Sequence, residues 1–380
     1  MEDQTPDAAT SRGRFLGAAA LVAATTALAA RGASAQTVQE GLAGRNSAAI
    51  TDPGPKNPAL TNLFPDAYVP PITDHGLPPQ FWSSFNTARR RIQGGGWARQ
   101  VNVHDFPISK EIAGVNMRLD AGGIRELHWH VADEWAIMLT GHCRITALDY
   151  DGRPFVSDVN KGDLWYFPAG VPHSLQGLDP EGCEFLLVFD QGDFSEEDTT
   201  LISDWTVHTP HEVLSKNWGI SISEVDKAMS QLPAAGRWIF QAPVPPALGA
   251  DLRGAADGGP LSPTNFAFHT FSMQPTKQTK SGSVRVVDST NFTVSKNIAM
   301  AYVALKPGGL RELHWHPDAD EWQYWISGKG RMTVFFNAST ARTQDFNAGD
   351  LAYVPRTLGH YIENTGSEDL IFLEMFKTPK

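Results

Sequence analysis

The chain has 380 residues, with 31 Lys and Arg against 42 Asp and Glu for a formal charge of −11, and it is 41% apolar and 10% aromatic. That length predicts two domains or one large one, each with its own core, and the composition excludes collagen-like, coiled-coil and low-complexity chains. An acidic chain without a recognisable basic face repels phosphate backbones, so nucleic acid is not an expected partner. Beyond the N-terminus no stretch reaches the roughly 20 apolar residues of a membrane helix, so the mature form is expected to be free of the membrane.

In chain order, Arg12 and Arg14 precede an apolar stretch over 15–30, and Ala33-Ser34-Ala35 stand ahead of Gln36. This is the pattern of a cleaved export signal over residues 1–35, which places the mature protein in the periplasm or outside the cell. Its order resembles a twin-arginine signal, except that Gly13 holds the second arginine's place. Residues 36–97, with PGPKNPAL and the glycines at 94–96, read as an extended arm. Cys143 and Cys183 are the only cysteines; they can pair in an oxidising compartment or remain as two buried thiols.

The rest of the chain repeats itself. GGIRELHWH (122–130) returns as GGLRELHWH (308–316), an offset of 186 from His128 to His314, and GDLWYFPAGVPH (162–173) returns as GDLAYVPRTLGH (349–360), an offset of 187 from His173 to His360. One residue is therefore gained between the motifs. It lies ahead of the acids, since Glu134 already stands 187 before Glu321. Short Val, Ile, Phe, Trp and Tyr runs broken by Gly, Asp and Pro predict strands in each copy, and their spacing suits an antiparallel sandwich or barrel. The expected organisation is an all-β fold with one barrel over 98–200, a linker with a short helix over 201–285 and a second barrel over 286–380. Ser221 or Ser223 can cap a helix over 221–232.

Residues i and i+2 of a strand share a face, so His128 with His130, and His314 with His316, present paired imidazoles to one side. Glu134 with His173, and Glu321 with His360, complete two sets of three imidazoles and one carboxylate. A lone strand pair of histidines is more often structural; two matched copies point to metal. Because the acid spacing differs by one, Glu321 needs a turn or bulge to act as Glu134 does, and Asp320 is its rival. A thiolate-free set of this kind suits Mn(II) or Fe(II), with positions left for water or substrate. Arg125 and Arg311 sit three residues before the first histidine of each pair. They either form surface ion pairs with Glu126 and Glu312 or, if the backbone bends there, clamp an anion beside the metal. FSEEDTT, around Glu196, reads on its own as an acidic turn. Trp129, Trp165 and Trp315 adjoin the metal motifs and are expected to pack the barrels.

The motifs RELHWH in both halves, DLWYFP, PHSLQGL, EFLLVFD, DSTNFTVSK, DEWQYWISGK, RMTVF and GHYIEN resemble the cupin superfamily, and within it the bicupin oxalate decarboxylases, from about residue 55 to 380. The resemblance implies two tandem cupin jelly-roll barrels with short peripheral helices, and two Mn(II) ions per chain held by the two quartets. It implies a carbon–carbon lyase that turns oxalate into formate and carbon dioxide, with dioxygen as a co-reactant that is not consumed. Ser195-Glu196 then matches a lid over the first site with Glu196 as proton donor, Arg125 and Arg311 match substrate clamps, and Glu374 matches an acid proposed for the second site. Bacterial members usually read SENST where this chain has Ser195, Glu196, Glu197, Asp198 and Thr199, so two acids are added beside an anionic substrate. Members usually continue into helical residues that help neighbouring barrels dock, whereas this sequence stops at Lys380, so a homo-oligomer is a weaker expectation. The rival readings are an oxalate oxidase releasing hydrogen peroxide and a non-catalytic binding or storage bicupin.

Overall fold

Strands that alternate apolar and polar residues bury one face each, and two copies of that pattern close into two jelly-roll barrels. The computed structural model describes residues 57–64, 79–233, 236–337 and 340–380; the expected export signal lies outside them. The described residues 57–64 fall in a unit separate from the rest, where Asn57 caps the short helix Pro58–Thr61, its side chain accepting from Leu60 N at 3.2 Å. Both barrels belong to the second unit, residues 73–380.

The first barrel is built from β1 (Gly96–Val101), β2 (Ala113–Leu119), β3 (Gly123–Trp129), β4 (Glu134–Leu148), β5 (Pro154–Asn160), β6 (Asp163–Phe167), β7 (His173–Gly177) and β8 (Cys183–Phe189). One antiparallel sheet runs β1-β2-β8-β4-β6 and the other β3-β7-β4-β5. The long β4 serves both sheets. Where it crosses, its pairing with β8 slips register between Glu184 and Phe185, and Gly141 adopts φ 76° with no room for a side chain: a Cβ there would meet Gly182 O at 1.9 Å.

The second barrel repeats this with β9 (Gly282–Val287), β10 (Ala299–Leu305), β11 (Leu310–His314), β12 (Glu321–Ser327), β13 (Gly330–Asn337), β14 (Thr340–Phe346), β15 (Asp350–Val354), β16 (Gly359–Asn364) and β17 (Leu370–Phe376). Here β12 and β13 together replace β4. The two barrels meet through repeat-equivalent side chains, Trp135, Tyr166 and Leu186 from the first with Trp322, Tyr353 and Leu373 from the second, all buried in one cluster. Each such side chain contributes about 1.5–3 kcal/mol by leaving water.

The barrels also exchange edge strands. Trp82–Ser84, from the segment read as an arm, pairs with β15 of the second barrel, and Ala267–His269, from the segment read as a linker, pairs with β6 of the first. The bounds expected at 98 and 286 fall inside β1 and β9. Gly94 and Gly95 form the turn between Arg91–Gln93 and β1, which Gly96 opens, rather than part of an extended arm. Among the described residues the linker holds four α-helices rather than one, Ile202–Val207, His211–Trp218, Ile222–Met229 and Leu248–Ala256. Of the two candidate caps it is Ser221 that closes a capping box with Glu224, accepting from Glu224 N at 3.3 Å while Glu224 Oε2 accepts from Ser221 N at 2.8 Å. Cys143 and Cys183 are free thiols buried in the first barrel's core.

Candidate metal centres and lid

The strand that carries His128 is bulged, and His130 follows just beyond its end. Between Arg125 and His128 the β3–β7 register shifts, and the same shift occurs between Arg311 and His314 in β11–β16. One irregular step lets an odd offset point inward. Arg125, His128 and His130 are all buried, whereas Leu127 between them is 56% exposed.

His128, His130, Glu134 and His173 converge, as do His314, His316, Glu321 and His360, with the ligating atoms of each set within 4.8 Å of one another. In the first set Nδ1 of each imidazole is committed to a backbone carbonyl: His128 to Glu126 O at 2.5 Å, His130 to Ala132 O at 2.7 Å and His173 to Val171 O at 2.8 Å. That pattern fixes the tautomer and turns Nε2 toward the centre. Glu134 Oε2 lies 3.2 Å from His130 Nε2 and 3.4 Å from His173 Nε2. The second set is built alike, with His314 Nδ1 on Glu312 O at 2.6 Å, and with His316 Nε2 and His360 Nε2 each 3.0 Å from Glu321 Oε2.

The residue gained in the second repeat is absorbed in the loop before the strand, because Glu134 opens β4 opposite Phe167 and Glu321 opens β12 opposite Val354. No bulge is needed within β12, and Asp320 is not a ligand. Its carboxylate accepts from Tyr353 Oη at 2.5 Å and Arg356 N at 2.7 Å. Asp133 is engaged in the same way by Tyr166 Oη and by Ala169 N at 2.6 Å, and also accepts from Asn297 of the second repeat at 2.6 Å.

Donor chemistry in both sets fits a divalent ion. Burial alone would raise the pKa of Glu134, but His173 and His130 more than offset it and hold the carboxyl well below its ordinary range. Burial, followed by the charges of Arg125, His173 and His130, drives His128 far down, and burial lowers His173. In the second set burial pushes His314 down to about 4, and His360 with His316 overcomes burial to hold Glu321 low. A carboxylate held ionised beside imidazoles whose Nδ1 atoms are engaged elsewhere is a donor set that a cation can use. Nε2 of His314 makes no hydrogen bond among the described residues.

Around the first quartet stand three further groups. Trp165 Nε1 donates to Glu134 Oε1 at 2.9 Å, so this tryptophan orients a ligand besides packing the core. Arg125 is buried, and its Nη1 has no hydrogen-bond partner among the described residues. The surface pair with Glu126 does not form: Glu126 is itself buried and accepts from Ser203 N at 2.6 Å, Arg237 N at 2.8 Å and Trp238 N at 3.1 Å, tying the linker to β3. Glu196 is likewise buried, in the 3₁₀ turn Glu196–Asp198 capped by Ser195, with its N donating to Gln100 Oε1 at 3.0 Å. Its Oε1 has no partner among the described residues, and burial, against Arg125 and Arg91, raises its pKa. Glu196 is therefore a buried acid rather than part of a solvated turn, while Glu197 and Asp198 beside it are exposed.

The second site differs. His314 and His316 are half-buried, and Arg311 is bound to the buried Glu374 through Nε–Oε1 at 3.0 Å and Nη2–Oε2 at 3.2 Å, not to Glu312. Trp315, expected to pack the barrel, is 64% exposed, and Trp129 meets Trp205 edge-on at 5.8 Å.

A profile of the family described as Cupin matches residues 83–226 and 268–380. The chain belongs to the cupin family. It is a bicupin closely related to oxalate decarboxylase OxdC of Bacillus subtilis, 49% identical over 323 residues that cover 85% of this chain and 82% of that one. A probable oxalate decarboxylase of Arthroderma benhamiae is 44% identical over 314 residues, 82% of this chain and 75% of that one. The structure of the Bacillus enzyme at pH 4.6 superposes with a TM-score of 0.82 at 47% identity, covering 88% of this chain and 86% of that one. A structure of the same enzyme described through its Mn(II) centres gives 0.81 at 47% identity, over 86% and 85%.

Some of the bicupin's site had no sequence signal. Arg91 and Trp238 reach the lid only because Arg91–Gln93 pairs with β1 and Ile239–Gln241 pairs with β3, and no spacing links those segments to the motifs. The Arg89-Arg90-Arg91 run was the one visible hint.

Proposed function

We propose that this bicupin is a manganese-dependent oxalate decarboxylase whose chemistry occurs at the first site, with His128, His130, Glu134 and His173 as metal ligands. When bound, the ion supplies positive charge for an anionic two-carbon acid and a redox-active centre, with dioxygen as the unconsumed co-reactant that the family resemblance implies. Arg125 offers Nη1, which has no partner among the described residues, to a substrate carboxylate, a charge-assisted bond in a buried site. Closure of the lid excludes water, which favours capture of a proton over capture of oxygen. Glu196 takes the carboxyl proton of hydrogen oxalate and returns it to the carbon that carbon dioxide leaves, so HO₂C–CO₂⁻ becomes CO₂ and HCO₂⁻ with no net gain or loss of protons.

The observation that carries this reading is Glu196, a buried carboxyl with a raised pKa and a free Oε1. At the second site the matching arginine is committed to Glu374, which supports a structural or assisting role there. Export of the mature chain and assembly with further copies of itself are part of the proposal, as expected from the sequence. To test it, manganese-loaded protein is incubated with oxalate in mildly acidic, aerated buffer, and formate and hydrogen peroxide are measured together. Formate in excess is expected; peroxide in excess would make the protein an oxidase, and neither product with both metals bound would remove oxalate as substrate.

A further inference from the structure

The lid is gripped by an arginine for which the scheme above has no use. On the strand Arg91–Gln93, Arg91 lies opposite Ala98 of β1, and its guanidinium forks between two consecutive acids. Nη2 donates to Glu196 Oε2 at 2.8 Å and Nη1 to Glu197 Oε1 at 3.1 Å. Beneath the fork, Arg91 Cζ lies 4.2 Å from the centre of the Trp238 ring, and Arg125 Cζ lies 5.2 Å from the same ring. One indole is thus shared by the arginine on the lid and the arginine in the substrate pocket. Trp238 is held with φ 53°, a left-handed conformation that a bulky residue rarely adopts, and Glu126 accepts its N–H. Outside the fork opens a cavity of about 830 Å³ lined in part by Arg89, Arg90 and Arg99, with Glu196 and Glu197 in its wall.

We propose that Arg91 is the latch of the lid, a positioning residue that sits on Trp238 and holds Glu196 over the first site by bridging it to Glu197. What the lid accomplishes rests on the oxalate reading; whether the latch exists does not. A planar guanidinium can serve two carboxylates at once, which the single ammonium of a lysine matches poorly. Glu197, an added acid expected to repel an anionic substrate, here shares the charge of Arg91 and gives the fork its second anchor. The amides that report on closure are identifiable: Asp198 N donates to Ser195 O at 2.9 Å, Thr199 N to Glu196 O at 3.2 Å, and Thr200–Leu201 pairs with β3.

The test is hydrogen exchange of the metal-loaded full chain without substrate, followed over residues 195–201, for wild type, Arg91→Ala, Arg91→Lys and Glu197→Gln. Arg91→Ala should speed exchange there at least tenfold with metal content and exchange in β7 unchanged, and the other two variants should fall between it and wild type. The ratio of formate to peroxide should decline in the same order. Exchange over 195–201 within twofold of wild type in Arg91→Ala would overturn the latch. If that variant loosens β7 as well, Glu197→Gln decides, because the side chain it alters is exposed: faster exchange supports the latch and unchanged exchange overturns it. A wild type that yields neither formate nor peroxide defeats the oxalate reading alone, since the exchange result stands without turnover.

Discussion

Trp165→Phe isolates a single bond to a metal ligand. Trp165 is fully buried on β6, packs against Phe185 with ring centres 5.2 Å apart, and donates from Nε1 to Glu134 Oε1 at 2.9 Å. Phenylalanine keeps an aromatic ring in the core but removes the donor, leaving one oxygen of a buried, ionised carboxylate short of a partner. A hydrogen bond to a charged group is worth about 1.5–3 kcal/mol, and losing such support for a ligand weakens metal binding about 10–100-fold. The second site is an internal control, because Glu321 Oε1 takes its bond from Gln323 Nε2 at 2.5 Å, and Gln323 Oε1 accepts from Trp325 Nε1 at 3.2 Å. In a two-site competition titration of Mn(II) against a chelator, one class of site should weaken by that factor and the other should hold. Two unchanged affinities, or two that fall together, would refute the reasoning.

Glu126→Ala should strand three backbone N–H groups of the linker and cost about 3 kcal/mol or more, read as a lower urea midpoint; an unchanged midpoint would mean that water replaces the carboxylate without loss. Asp320→Ala should leave the second metal bound while Glu321→Ala releases it, and metal analysis of both variants separates ligand from support. For pH, burial raises the pKa of Glu196 above its unfolded value, so the folded chain holds this proton more tightly. Below the unfolded value Glu196 contributes nothing to the pH dependence. As pH rises from there through the folded value, stability declines; hydrogen oxalate also loses its proton before it binds, leaving Glu196 none to return, so formate production should fall toward neutral pH, and a rate profile that rises across that window would contradict this.

The duplication made most of this legible, since each repeat carries its ligands at fixed offsets on strands whose period of two is readable in the sequence. Even the bulge before His128 was implied, because Arg125 at an odd offset had to bend inward or stay outside. What sequence could not resolve was decided by distant partners. Asp320 and Glu321 are adjacent acids, and only Tyr353 and Arg356, more than 30 residues on, distinguish the support from the ligand. Arg125 and Glu126 looked like an ion pair because nothing local revealed that the linker's amides would claim Glu126. The exchange of Trp82–Ser84 and Ala267–His269 between barrels was illegible for the same reason: a three-residue strand has no periodicity of its own.

The central claim is that formate arises at the first site through Glu196. Formate production by manganese-loaded Glu196→Ala, with metal content determined on the same sample, tests it most directly. The account predicts two metals bound per chain and formate abolished; formate retained at wild-type rate would move the chemistry to the second site and contradict it.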